Sequence, residues 1–133
     1  MFKKLLALVL LIPFTNSCTN SKKSSFNKVC QELQSPCFHG KALVHLTTTK
    51  GDVTLALYGE IAPVTAGNFV DLINKGVYEG TIFHRVVKNP IPFVVQGGDP
   101  LSKRPETAEE NYGTGNFVDP LSGESRYIPL EIK

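Results

Sequence analysis

The chain has 133 residues, enough for about one domain, and its 41% hydrophobic and 20% charged residues exclude a disordered or collagen-like polymer. Its formal charge of +2 belongs to the first stretch, because residues 1–17 carry Lys3 and Lys4 and no acidic side chain. Removing that stretch leaves 133 − 17 = 116 residues with a charge of +2 − 2 = 0, so a nucleic-acid partner, which needs a basic patch, loses its main support.

Residues 1–17 read as a secretory signal: two lysines, the apolar run Leu5–Ile12, then the small polar group Thr15-Asn16-Ser17. The apolar run is far short of the ~20 residues that cross a bilayer. Cys18 stands where a lipoprotein signal places its lipid-bearing cysteine, with Ser17 before it and the polar run Thr19–Ser25 after it. Thr15 departs from that pattern, since such signals usually carry Leu there, and a plain soluble secretory signal ending at Ser17 is the alternative. The expected location is therefore outside the cytoplasm, periplasmic or membrane-anchored, with any membrane contact made only through the N-terminal lipid. Residues 18–41 read as a polar tether.

Three cysteines in an exported chain leave one over, and Cys18 absorbs it. Cys30 and Cys37 then form a pair, and in an oxidising compartment a disulfide closing that eight-residue loop contributes about 2.5 kcal/mol in the chain-entropy model. The competing arrangement is two thiols binding metal with His39 and His45, but zinc sites favour C-x₂₋₄-C spacing and no second cysteine pair exists. No metal or cofactor is expected.

From Ala42 onward the chain alternates. Leu43, His45 and Thr47 interleave with Val44 and Leu46; after Lys50-Gly51-Asp52, Val53, Leu55 and Leu57 interleave with Thr54, Ala56 and Tyr58. Two such runs around a Gly-Asp turn predict a β-hairpin. The period then changes: Ala66, Phe69, Val70 and Ile73 share one helical face, Pro63 suits the first turn, and Lys75-Gly76 marks the stop. Tyr78-Glu79-Gly80 turns into a third strand at 81–87, and a fourth is expected at 93–97. Residues 99–126, rich in Pro and Gly, read as a long functional or disordered loop. A further strand is expected at 127–132. Gly113-Thr114-Gly115 lacks a third spaced glycine and opens no evident helix, so a phosphate cradle is not expected.

The chemistry concentrates in Phe83-His84-Arg85 and Phe93-Val94-Val95-Gln96-Gly97-Gly98-Asp99. Arg85 sits among Ile82, Phe83, Val86 and Val87, where an always-charged guanidinium must reach a rim, an acidic partner or a ligand. A snorkelling surface arginine is the plain alternative. Strict alternation would put Phe93 and Gln96 on opposite faces, so for both to line one groove the strand must bulge or begin after Phe93.

F-H-R followed by F-x-x-Q-G-G-D, after a helix reading Ala62-Pro63-x-Thr65-x-x-Asn68-Phe69, resembles the cyclophilin family of peptidyl-prolyl cis-trans isomerases. The match runs from about Ala42 to Ile132. The resemblance implies a mainly β fold with one helix, the N-terminal portion of a cyclophilin-like antiparallel β-barrel, over residues 42–133. It implies that Arg85 is the catalytic arginine, that Phe93 and Val94 form part of the proline pocket, and that Gln96 binds the substrate backbone; His84 is read as structural. The implied partners are proline-containing polypeptides, bound by a monomer. Val94 stands where many members carry Met, and the spacer 86–92 between Arg85 and Phe93 is longer than the family's usual one, as if by a three-residue insertion. The chain stops about where family members reach mid-barrel, so the barrel is expected to be incomplete. Two alternatives to an isomerase follow: a non-catalytic remnant that binds proline peptides, and a small envelope protein with a structural role.

Overall fold

The computed structural model of the chain describes residues 30, 31 and 36–132. The expected signal at 1–17 and the expected lipid site at Cys18 lie outside those residues, as does most of the tether. The chain divides into two compact units, one holding residues up to 68 together with 129–132, the other holding 69–128.

In the first unit, strands β1 (Lys41–Thr48) and β2 (Gly51–Tyr58) pair antiparallel, in register from Lys41 opposite Tyr58 to Thr48 opposite Gly51. The two-residue turn holds because Gly51 takes φ 128°, a conformation that side chains resist. The Thr48 hydroxyl accepts from Lys50 N–H at 3.1 Å and donates to the Gly51 carbonyl at 2.7 Å. Ala42, Val44, Leu46, Leu55 and Leu57 are half-buried on one face. The other face carries cross-strand pairs: His45 Nδ1 lies 3.0 Å from Thr54 Oγ1, and Lys41 Nζ sits 5.2 Å from the Tyr58 ring centre.

Packed structure is already present at Pro36, ahead of the expected start near Ala42. Phe38 N–H donates to the Pro63 carbonyl at 3.0 Å, and Gly59 N–H donates to the Gly40 carbonyl at 2.8 Å. Cys30 and Cys37 are joined by a disulfide with Cα atoms 6.0 Å apart. This strap passes so close to the next helix that a Cβ on Gly67 would stand 2.3 Å from the Pro36 carbonyl oxygen and 2.5 Å from Cys37 Cα.

Helix α1 (Pro63–Asn74) starts with proline at its first position, where the missing N–H costs nothing. Ala62 before it has no side-chain oxygen to cap the helix. Glu131 supplies that oxygen: its carboxylate accepts from Val64 N–H at 3.0 Å, Thr65 N–H at 2.7 Å and the Thr65 hydroxyl at 2.6 Å. The strand expected at 127–132 is therefore absent. Residues 127–132 run irregularly, Pro129 lacks a ladder donor, and Glu131 is used on the helix. Val64 is wholly buried and Ala66 nearly so, whereas Phe69, Val70 and Ile73 of the expected face are only half-buried.

In the second unit, α1 ends in a Schellman motif. Val77 N–H donates to the Leu72 carbonyl, Gly76 N–H donates to the Ile73 carbonyl, and Gly76 takes φ 65°. The Phe69 and Tyr78 rings lie 5.2 Å apart, and burial pushes the Tyr78 hydroxyl pKa up. Strands β3 (Phe83–Val87) and β4 (Val94–Gly97) pair antiparallel. β3 starts two residues later than expected, because Thr81 is held to the Tyr78 carbonyl and Ile82 N–H donates to Ser102 Oγ.

Residues 99–126 are ordered by two polar clusters, one centred on the Asp99 carboxylate and one on the Arg126 guanidinium. Asp99, 6% exposed, accepts from Leu101 N–H at 2.8 Å, Gly115 N–H at 3.2 Å and Gly113 N–H. Burial pushes its carboxyl up, but these three donors and the neighbouring His84 outweigh it and hold the pKa below the usual value. Arg126 donates to Asp71 at 2.5 Å and Asp119 at 3.3 Å, with its guanidinium 4.7 Å from the Phe117 ring centre. The result is mainly strand with one long helix. Its two sheets are two-stranded, and no barrel closes among the described residues.

Candidate active site

The expected site residues all fall on the β3–β4 ribbon and its lead-in. Phe83 faces Gly97, and the next pair is Arg85 with Gln96, followed by Val86 with Val95 and Val87 with Val94. β3 thus advances two residues while β4 advances one, a bulge with His84 as the extra residue. β4 begins at Val94, directly after Phe93. Of the two devices that would free Phe93 and Gln96 from strict alternation, the later strand start is the one present; the bulge lies in β3, and β4 itself runs regularly.

Arg85 and Gln96 come together. Both are exposed, and Arg85 Nη1 donates to Gln96 Oε1 at 3.4 Å, a long contact that leaves the guanidinium available to another acceptor. No ion pair ties Arg85 to a carboxylate among the described residues. Phe93 and Val94 lie at the other end of the ribbon. Phe93 N–H donates to the Val87 carbonyl at 3.0 Å, but the Phe93 ring is 84% exposed, so no closed apolar pocket surrounds it among the described residues. Val94 is half-buried opposite Val87. Ile91, at 72% exposed, adds apolar surface to the turn before Phe93.

Gly97 and Gly98 are needed for close approach. A Cβ on Gly97 would lie 2.6 Å from the Phe83 ring, and one on Gly98 would meet the Tyr78 ring at 3.0 Å, where φ is also 88°. Sequence reasoning placed Asp99 and His84 in the motifs but missed two features, the gathering of the loop by the Asp99 carboxylate and the bulge at His84. Asp99-Pro100 followed by a polar turn is an Asx-turn signal that could have marked the first; a bulge has no comparable signature in a single sequence. Among the described residues no group of three or more His, Cys, Asp or Glu is placed to hold a metal ion, and no helix is long and apolar enough to cross a membrane.

Residues 43–133 match the family model of the cyclophilin type peptidyl-prolyl cis-trans isomerases. A Synechocystis protein named as a thylakoid lumen peptidyl-prolyl cis-trans isomerase is 41% identical over 97 residues, covering 73% of this chain and 22% of that protein. A Dictyostelium discoideum peptidyl-prolyl cis-trans isomerase is 43% identical over 89 residues, 67% of this chain and 54% of the relative. Peptidyl-prolyl cis-trans isomerase A of Dickeya dadantii is 50% identical over 66 residues, 48% and 33% respectively. The chain thus spans between about a fifth and about half of the length of these relatives.

Proposed function

Because the chain belongs to the cyclophilin-type peptidyl-prolyl cis-trans isomerase family, we propose that it catalyses X–Pro isomerisation in proline-containing polypeptides folding outside the cytoplasm. The observation that carries this reading is the exposed Arg85 guanidinium set directly opposite Gln96.

The barrier to rotation, ~18–20 kcal/mol, comes from partial double-bond character in the C–N bond. As the bond twists, the prolyl nitrogen regains its lone pair and becomes an acceptor. A guanidinium donor aimed at it stabilises the twisted state more than either planar isomer, which is the condition for catalysis. Arg85 is suited to this because it stays charged and presents a rigid fork of donors. Gln96 holds the substrate backbone, and Phe93 with Val94 grips the ring. No bond to the protein is made or broken, and no cofactor takes part.

The export context rests on the signal pattern of residues 1–17, on the disulfide between Cys30 and Cys37, which suits an oxidising compartment, and on the relative named for the thylakoid lumen. In this reading residues 18–41 carry the lipid site at Cys18 and the disulfide loop, residues 42–133 are the partial cyclophilin-like domain, and the protein acts as a monomer. A second reading, a non-catalytic proline-peptide binder, draws support from the 84% exposure of Phe93.

A protease-coupled assay on an X–Pro peptide separates the two. The enzyme reading expects a proline-dependent rate that Arg85→Ala lowers by about 10²–10³-fold, the effect typical of losing a preorganised donor. No rate in the parent chain, or an unchanged rate in Arg85→Ala, sinks it.

A further inference from the structure

We propose that His84 is a positioning residue, a wedge beneath Gly113 that maintains the β3 bulge and so sets Arg85 opposite Gln96. The inference rests on the isomerase reading for its functional consequence, but not for its structural content.

The register makes the point. If β3 ran on from Phe83 opposite Gly97 without a bulge, His84 would face Gln96 and Arg85 would face Val95. The extra residue moves the guanidinium one step along β4, to the amide it now meets at 3.4 Å. A bulge sacrifices ladder hydrogen bonds and persists where surrounding contacts fix it. Those contacts converge on His84. Both ring nitrogens are buried and make no hydrogen bond among the described residues. The ring is therefore held by packing and by the charge of the neighbouring Asp99 carboxylate, without a hydrogen bond.

Gly113 lies directly against it: a Cβ at that position would stand 2.9 Å from Nε2 and 3.4 Å from Cδ2, and φ is 95°. Gly113 is in turn fixed by the Asp99 carboxylate, which also gathers Leu101 and Gly115. Ser102, hydrogen-bonded to the Asp99 carbonyl at 2.6 Å, receives Ile82 N–H at the foot of β3. The Asp99 cluster thus braces the bulge at its base through Ser102 and over the wedge through Gly113.

The chain of contact runs from Asp99 to Gly113 to His84 to the bulge. None of its members is among the proposed substrate contacts, so its effect on the reaction is through the aim of Arg85. Since the aim matters when the prolyl nitrogen becomes an acceptor, loss of the wedge lowers kcat more than it raises KM.

The test compares His84→Ala and His84→Phe in the full oxidised chain with two readouts. The first is the cross-strand register, read by NMR as backbone contacts from Arg85 to Gln96. The second is kcat and KM on an X–Pro peptide. His84→Ala is expected to move Arg85 from Gln96 toward Val95 and to lower kcat at least 10-fold with KM within about 2-fold. His84→Phe keeps the ring and is expected to restore the register and most of kcat. Arg85 still opposite Gln96 in His84→Ala, or a His84→Phe chain as impaired as His84→Ala, overturns the wedge. A parent chain without isomerase activity defeats the isomerase reading alone, because the register still decides the role of His84. Should His84→Ala not fold, Gly113→Ala probes the same contact from above: an unchanged Arg85–Gln96 register there also overturns the proposal.

Discussion

Replacing Gly67 by alanine sets two well-calibrated effects against each other. In a helix interior, alanine is favoured over glycine by about 0.5–1 kcal/mol, so an open Gly67 would give a stabilised variant. The strap reverses the sign. The new Cβ would lie 2.3 Å from the Pro36 carbonyl oxygen, 2.5 Å from Cys37 Cα and 2.6 Å from Cys37 C, all backbone atoms that no rotamer change can move aside. Ordinary contact needs roughly 3.5 Å, so the whole strap must lift by about 1 Å. Overpacking of this kind costs about 1–3 kcal/mol. Against the propensity gain, the net effect is a loss of up to about 2.5 kcal/mol, with a thermal midpoint lower by ~4–8 °C per kcal/mol.

Urea and thermal unfolding of the oxidised chain measure it. The disulfide sharpens the test, because Cys30→Ser with Cys37→Ser releases the strap from its loop. In that background Gly67→Ala should cost less, the clash being relieved as the strap swings away. A stabilisation of about 0.5–1 kcal/mol by Gly67→Ala in the oxidised parent would refute the packing of Pro36 and Cys37 on α1.

Three further outcomes are expected. Glu131→Ala removes the carboxylate that serves Val64 and Thr65, and should cost about 0.5–2 kcal/mol in urea unfolding, as loss of a helix cap does; an unchanged midpoint rules out the cap. Acid should weaken the second unit, because Asp71, Asp99 and Asp119 all have folded pKa values held below the ordinary carboxylate value. The unfolded chain then binds more protons, so the contribution is complete above the unfolded pKa of about 3.9 and is lost as pH falls through the folded values. Thermal midpoints should be level near neutrality and drop below about pH 4, with a shallower drop in Arg126→Met; identical acid profiles in the two chains exclude the Arg126 network as a contributor. Reducing the Cys30–Cys37 bond should lower stability by up to about 2.5 kcal/mol, measured by urea unfolding with and without dithiothreitol.

What the sequence made legible was what local physics decides. Alternation in residues 42–58 specifies the hairpin, because a one-residue slip would turn every half-buried side chain outward. Pro63 and Gly76 mark the helix ends through backbone constraints that need no distant partner. Legibility failed where a distant residue took over. Val64 is fully buried although it lies off the expected apolar stripe, and Glu131 caps a helix more than sixty residues earlier, so residues 127–132 are not a strand. The His84 bulge is equally silent in sequence, being fixed by Gly113 from across the loop. At the site, Arg85, Phe93, Val94 and Gln96 were singled out through the family resemblance of their motifs. The adjacency of Arg85 and Gln96 and the bareness of Phe93 depend on register and on what surrounds the ribbon.

The Glu131 contact also has a meaning in time. Its partners lie 66 and 67 residues upstream. At translation rates of about 5–20 residues per second, roughly 3–13 s separate synthesis of the helix start from synthesis of its cap. During that interval the Val64 and Thr65 amides lack the Glu131 carboxylate, and the first turn of α1 is without its cap. The start of the helix is thereby left unclasped while the chain is still being made, and acquires its clasp only after residue 131 has been added.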